Sequence, residues 1–459
     1  RVLNWYIKSS NERIEAYAAY LKPKVLIIST FFITLPIIGI LLIPLLATFL
    51  PEQIEFSLLF YVYDVLLPII TFLIVQIVIS EKPFAFAAPN ISLVPNLPKD
   101  GYFRMGKTDM PIFPISFTIA SILSIPAIIH LADVLIKLHR YPKESPAYIG
   151  LVEGEFAFVP MITTYLLILG IGIGIGMYFF LNSYQKIKII KEIERIEEEL
   201  PLFVSLIENS MYSGVPLERA FISIRENYRI IHPRGPLKLL IEKIIVNVYK
   251  FGMTLRNAVF DKNVGAIIFY PSLLLREVMN LLVSAAEKGV NTIIEVASKV
   301  STHLENINSL KKRLIAELSD PISTLKMMIS FLIPVFGGMT MVFQKFIIQS
   351  FTFVAKALAN LEAIAPGFKG YTDFFMRELL NLDKTIPPTV FMVPIGIYII
   401  EVIIISAYFL SGITYGFSRV ARDYEIGRGL LISIMMLTII VVFGLLFAES
   451  LFKMISQTV

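Results

Sequence analysis

The chain has 459 residues, 56% of them hydrophobic, a mean hydropathy of +0.73 and a formal net charge of +5. Soluble domains are about 45–50% apolar, so this composition excludes an ordinary water-soluble globule and points to an integral membrane protein. The absence of cysteine excludes disulfides, thiolate metal sites and cysteine nucleophiles.

The four histidines, His130, His139, His232 and His303, are too scattered for a His-rich metal site. A mild net charge gives nucleic-acid binding no support. High Ile with many Lys and Glu suits a thermophile. Arg1 is not an initiator methionine, as expected where residues upstream have been removed, and no signal-peptide pattern precedes the first apolar run.

In chain order, residues 1–24 read as a cytoplasmic helix. Seven apolar runs follow, each long enough for a bilayer core that needs about 20 residues per helix: Val25–Phe49, Leu58–Ile79, Ile112–Ile136, Phe156–Leu181, Ile322–Gln344, Val390–Ser411 and Leu430–Leu451. They do not alternate apolar with polar, so helices are expected, not a membrane barrel. With residues 1–24 inside, the segments 80–111, 182–321 and 412–429 also lie inside, and the four segments together hold roughly three-quarters of the 41 Lys and Arg. An extracellular loop is expected near 345–389.

Before the third run, Gly101-Tyr-Phe-Arg-Met-Gly106-Lys107-Thr108 matches the phosphate-loop pattern. Pro95, Pro98, Pro111 and Pro114 crowd it, leaving no room for the strand–loop–helix unit that cradles phosphate. It reads as a basic loop near lipid headgroups. In the fourth run Gly170, Gly172, Gly174 and Gly176 alternate with Ile, and 170/174 and 172/176 each form G-x-x-x-G, the spacing of a helix-packing seam. Gly337 and Gly338, after Pro334, relax the fifth run in the same way.

Asp64, His130, Asp133 and Glu401 fall within or near the runs, where ionisable groups are costly. Asp133 and Lys137 suit an interface. Asp64 and Glu401 lie deeper. Their bland role is a hydrogen bond between helices; their functional one is a polar contact with a membrane subunit or a proton site.

Residues 182–321 are charged, helical in pattern and lack a spanning run. The acidic triplet Glu197, Glu198 and Glu199 reads as a solvated helix face or as an acidic contact for a basic partner. Helices follow on Leu202, Leu206 and Met211, on Leu217, Phe221 and Ile224, after Pro236, over 271–288 and over 291–318. The last carries an apolar stripe at 293, 297, 300, 304, 307, 310, 314 and 318. Gly214-Val-Pro-Leu217-Glu-Arg-Ala220 is echoed by Gly252-Met-Thr-Leu255-Arg-Asn-Ala258: glycine ends one helix, the next begins, and alanine permits close packing. Lys311, Lys312 and Arg313 suit headgroup contact. Arg419, Arg422 and Arg428 sit in a short loop with Asp423 and Glu425, which suits positive-inside placement or docking of a partner.

The reading is therefore all-α: a polytopic membrane protein of about seven transmembrane helices with a cytoplasmic helical bundle. Its parts are residues 1–24, spans in 25–181, the bundle 182–321 and spans in 322–459. Residues 10–45 resemble 309–341 in layout, so the chain reads as two copies of a soluble helix end followed by spans, with residues 1–24 as the tail of a first bundle. Asp64 and Glu401 occupy comparable second-span positions of the two halves.

The run Glu199-Leu-Pro201-Leu-Phe-Val-Ser-Leu-Ile-Glu208, then Gly214, Leu217 and Ala220, and the echo Gly252, Leu255 and Ala258 resemble the type II secretion system F domain. The many passes and doubled layout are most similar to its archaeal branch, the membrane platform proteins of archaella and archaeal type IV pili. The resemblance covers about Glu192–Phe343. It implies a dimeric, non-enzymatic platform without cofactor or metal. Such a platform engages a cytoplasmic hexameric secretion ATPase and pilin or archaellin-like subunits in the cell membrane. The alternative is a multi-pass transporter with Asp64 and Glu401 in the substrate path. No Ser–His–acid spacing or H-E-x-x-H motif favours a membrane enzyme.

Overall fold

The computed structural model describes residues 12, 16, 19–49, 56–80, 91, 94, 97–141, 150–151, 154–364, 387–416 and 418–458. Most of the expected helix at residues 1–24 lies outside them. The chain divides into two compact units.

The larger unit comprises Tyr20–Lys82, Asp100–Ser183 and Ser319–Val459. Among the described residues, seven helices are long and apolar enough to cross a bilayer: Ala19–Ile43, Ser57–Ser80, Ile112–Arg140, Phe158–Met211, Ser319–Ile347, Pro388–Tyr415 and Arg419–Ile455. They match the seven expected runs in number and order, and the chain is a multi-pass membrane protein. Large apolar side chains such as Phe31, Ile77, Phe113, Ile129 and Phe443 remain exposed on them, as a lipid-facing surface requires. The sixth helix is the most enclosed and packs against the second, fifth and seventh.

Three spans contain a stretch of wide, π-type turns: Ile28–Thr34, Phe60–Leu66 and Met328–Leu332. Each stops two residues before a proline, namely Pro36, Pro68 and Pro334. A helical proline has no N–H to donate and its ring presses on the carbonyl four residues back. Widening the preceding turn relieves that clash without breaking the span.

The structure departs from the expected fold in three places. Residues 102–111 form an antiparallel hairpin, β1 (Tyr102–Met105) with β2 (Thr108–Pro111). Residues 345–364, expected in an extracellular loop, continue the helix Ile333–Ile364; residues 365–386 of that loop lie outside the described ones. The expected loop at 412–429 is a short turn, since one helix runs to Tyr415 and the next begins at Arg419. Gly416 makes this possible with φ 68°, a conformation that costs glycine little.

The smaller unit includes Tyr184–Leu318. The helix Phe158–Met211 enters it and is followed by α1 (Leu217–Ile231), α2 (Lys238–Tyr249), α3 (Leu255–Phe260), α4 (Leu273–Ala286) and α5 (Val290–Glu317). Leu217, Ala220, Phe221, Ile224 and Tyr228 recur at helical spacing along α1, and all are buried. They join Phe203, Ile207, Ile241, Ile244, Leu275, Leu282 and Ile293 in one apolar core. Thr254 and Ser272 cap α3 and α4 by accepting from the amides of Asn257 and Leu275. Along α5 the structure buries 293, 297, 304, 314 and 318, but Ile307 is exposed. Ser301 takes a core position instead and donates to the Pro201 carbonyl at 3.3 Å.

Candidate functional site

The motif residues of the helical unit occupy turns and close-packed positions. Gly214 and Gly252 end their helices with φ of 71° and 62°. Leu217, Ala220, Leu255 and Ala258 are buried beneath them. Pro216 is the N-cap of α1, and its carbonyl accepts from Arg219 and Ala220. Pro201 lies buried inside its helix.

The triplet Glu197–Glu199 does not form one acidic face. Successive helical residues turn about 100° apart, so the three side chains take different partners. Glu197 accepts from Ser272 Oγ at 2.9 Å. Glu198 is exposed, 3.7 Å from Lys312 Nζ. Glu199 accepts from the hydroxyl of Tyr228 and lies 3.7 Å from His232 Nδ1. The Tyr228 hydroxyl also accepts from the buried Leu237 amide at 3.2 Å. Burial, with the hydrogen bond to Glu199 adding to it, pushes the Tyr228 phenol up. Gly235 admits this ring, since a Cβ there would lie 2.7 Å from Cζ.

Beside this network lies a cleft of about 860 Å³ in which Lys188, Lys191, Arg195, Arg234 and Lys312 outnumber Glu192, Glu198 and Glu199. Its walls come from the charged part of the fourth spanning helix, the α1–α2 turn and α5. It is an electropositive recess suited to an acidic partner segment. Sequence reasoning missed Arg195 and Arg234; the Pro233-Arg234-Gly235-Pro236 turn was the available signal.

In the membrane unit, Arg419 and Arg428 are exposed, whereas Arg422 is held at 2.8 Å by Asp423. Asp423 in turn accepts from Asn182 Nδ2 at 3.4 Å, and Asn182 Oδ1 accepts from the Gly101 amide at 2.8 Å. The phosphate-loop-like pattern is therefore the hairpin itself. Gly106 and Lys107 form its turn, and Arg104 pairs with Asp109 across the strands at 2.8 Å. The strand-to-helix order that binds phosphate is not formed there.

The four glycines of the fourth helix face two neighbours. A Cβ at Gly174 would lie 2.7 Å from Ala120 Cβ, and one at Gly170 2.8 Å from the Ala120 carbonyl. Gly172 faces Ile434, and Gly176 faces Leu430 and Leu431. One G-x-x-x-G pair thus meets the third helix and the other the seventh.

His130 Nε2 lies 3.0 Å from Glu155 Oε2, which also accepts from Thr389 Oγ1 at 2.8 Å. Asp133 pairs with Lys137 at 2.5 Å on an exposed face. Lys345 is fully buried and pairs with Glu449 at 2.5 Å. Neither Glu155 nor Lys345 stood out in sequence, because each sits at the edge of an apolar run. Asp64 and Glu401 come together: the Glu401 charge acts on Asp64, and both act on Tyr398. Among the described residues no cluster of three or more His, Asp or Glu could hold a metal ion.

No protein-family profile, curated protein or solved structure matches the chain.

Proposed function

We propose that the chain is the membrane platform of a filament-assembly machine of the archaellum or type IV pilus kind, with its helical unit in the cytoplasm. The unit engages a hexameric secretion ATPase, and the spans receive pilin or archaellin-like subunits, in a dimer of this chain. The observation that carries the reading is the helical unit itself: a core of its own, built on the residues that resemble the secretion F domain. The positive-inside count supports its cytoplasmic side, and the basic cleft and the exposed Arg419 and Arg428 offer docking groups.

The test is binding of the full-length chain, in nanodiscs, to the secretion ATPase of its own organism. Arg419→Glu with Arg428→Glu is expected to weaken binding about tenfold or more, since long-range charge sets encounter and register. Both side chains are exposed, so folding is unaffected. Arg422→Glu is a poorer probe because it also sets a like charge against Asp423. Unchanged binding overturns the docking assignment. No binding at all, with saturable solute uptake by the reconstituted protein, favours the transporter reading, which draws on Asp64 and Glu401.

A further inference from the structure

The second span carries Asp64 on its wide-turn stretch, and Glu401 stands halfway along the sixth span, Pro388–Tyr415. These two helices pack together, and the ring of Tyr63 meets that of Tyr398 edge to face at 5.4 Å. The neighbouring Asp64 carboxylate lies near the Tyr398 backbone, although neither of its oxygens reaches hydrogen-bond geometry. Asp64 is 8% exposed, and both of its oxygens are buried without a partner. Glu401 Oε2 is likewise buried and unpartnered.

Independently, the hydroxyl of Tyr398, a residue only 1% exposed, has no partner while lying in the field of both carboxylates. A buried hydroxyl and three buried carboxylate oxygens, all unsatisfied, are a costly arrangement in a membrane unless something fills it. No basic side chain of the two spans that carry these groups can. The second span Ser57–Ser80 and the sixth span contain no Lys, Arg or His, and Ile28–Thr34 and Leu35–Phe49 contain no ionisable group. The titratable groups facing Asp64 are Tyr63 on its own helix and Tyr398 and Glu401 on the sixth.

We propose that Asp64, Glu401 and the Tyr398 hydroxyl form an intramembrane binding site for a small cation drawn from water. All its ligands are oxygens, the donor set of hard cations. A sodium ion and a proton supply the same positive charge, and the site distinguishes them only by the space that each needs. The site stands whether the chain is a platform or a transporter. Either way it makes the packing of the second and sixth spans depend on the ionic composition of the aqueous phase.

The experiment uses the full-length protein in nanodiscs and follows its thermal unfolding. One arm exchanges choline chloride for sodium chloride at fixed pH and constant ionic strength. The other varies pH in choline chloride alone. At about a hundredfold excess of cation over Kd, a Tm rise of about 3 °C is expected. Asp64→Asn and Glu401→Gln are expected to remove most of that response, and Tyr398→Phe to weaken it. A response to sodium that Asp64→Asn and Glu401→Gln remove identifies a metal cation, and a response to pH alone that they remove identifies the proton; each supports the site. If neither arm shifts Tm, or if Asp64→Asn and Glu401→Gln fold and respond as wild type, the site does not exist. Should one variant fail to fold, the other and Tyr398→Phe carry the test.

Discussion

Tyr228 ties three parts of the helical unit together, through its ring in the core, its donation to Glu199 and its acceptance from the Leu237 amide. Tyr228→Phe leaves a buried N–H unpaired and is expected to lower unfolding stability by about 1–3 kcal/mol, measured by thermal or chemical denaturation. The phenol also sets a pH limit. Its pKa lies above the unfolded value of about 10, so its contribution is complete below that pH and is lost as pH rises toward the folded value. Tyr270, pushed up to about 12 by burial, acts in the same direction. The stability of wild type should therefore fall above about pH 10, and the double variant Tyr228→Phe, Tyr270→Phe should flatten that slope. In the membrane unit, Glu449→Gln strands the fully buried Lys345. About 2 kcal/mol of destabilisation is expected there, less than for a wholly buried pair because Glu449 is half exposed. Little of this was legible in sequence. A tyrosine in an apolar stripe looks like core, and only the folded chain shows which hydroxyl meets which carboxylate. Asp64 and Glu401 were legible, because an acid deep in an apolar run stands out whatever its partner.

At the level of helices and turns, the length of the apolar runs located the seven spans, and periodicity located the helices after Met211, because burial of one face is a local pattern. The ends were harder to read. The hairpin at 102–111 reads as a loop in sequence, since four residues per strand are too few to show alternation. The wide turns were unread, although their signal, a proline two residues beyond each, was present in Pro36, Pro68 and Pro334. The alternate glycines carried a packing signal but not the identity of the partners. Gly174→Val is expected to force the third and fourth helices apart and cost about 1–3 kcal/mol, seen as a lower Tm in detergent. Gly214→Ala, at φ 71° with open space around it, should cost about 1 kcal/mol through backbone strain alone.

At the scale of the whole molecule, the cysteine-free chain lends itself to mapping by single cysteines. Lys299 and Arg419 are both exposed, and as cysteines they should react with an impermeant maleimide from the same side of the membrane; Tyr141→Cys should react from the other. Labelling of Lys299→Cys from outside intact cells would invert the orientation and remove the basis for ATPase docking. The division into apolar spans and a charged helical unit was legible because lipid and water impose opposite compositions. The turn at Gly416 has a consequence for how the chain is made. Only residues 416–418 separate the sixth helix from the seventh, and the two pack along their lengths. So short a connection gives neither helix room to settle alone. They are expected to enter the bilayer as a pair.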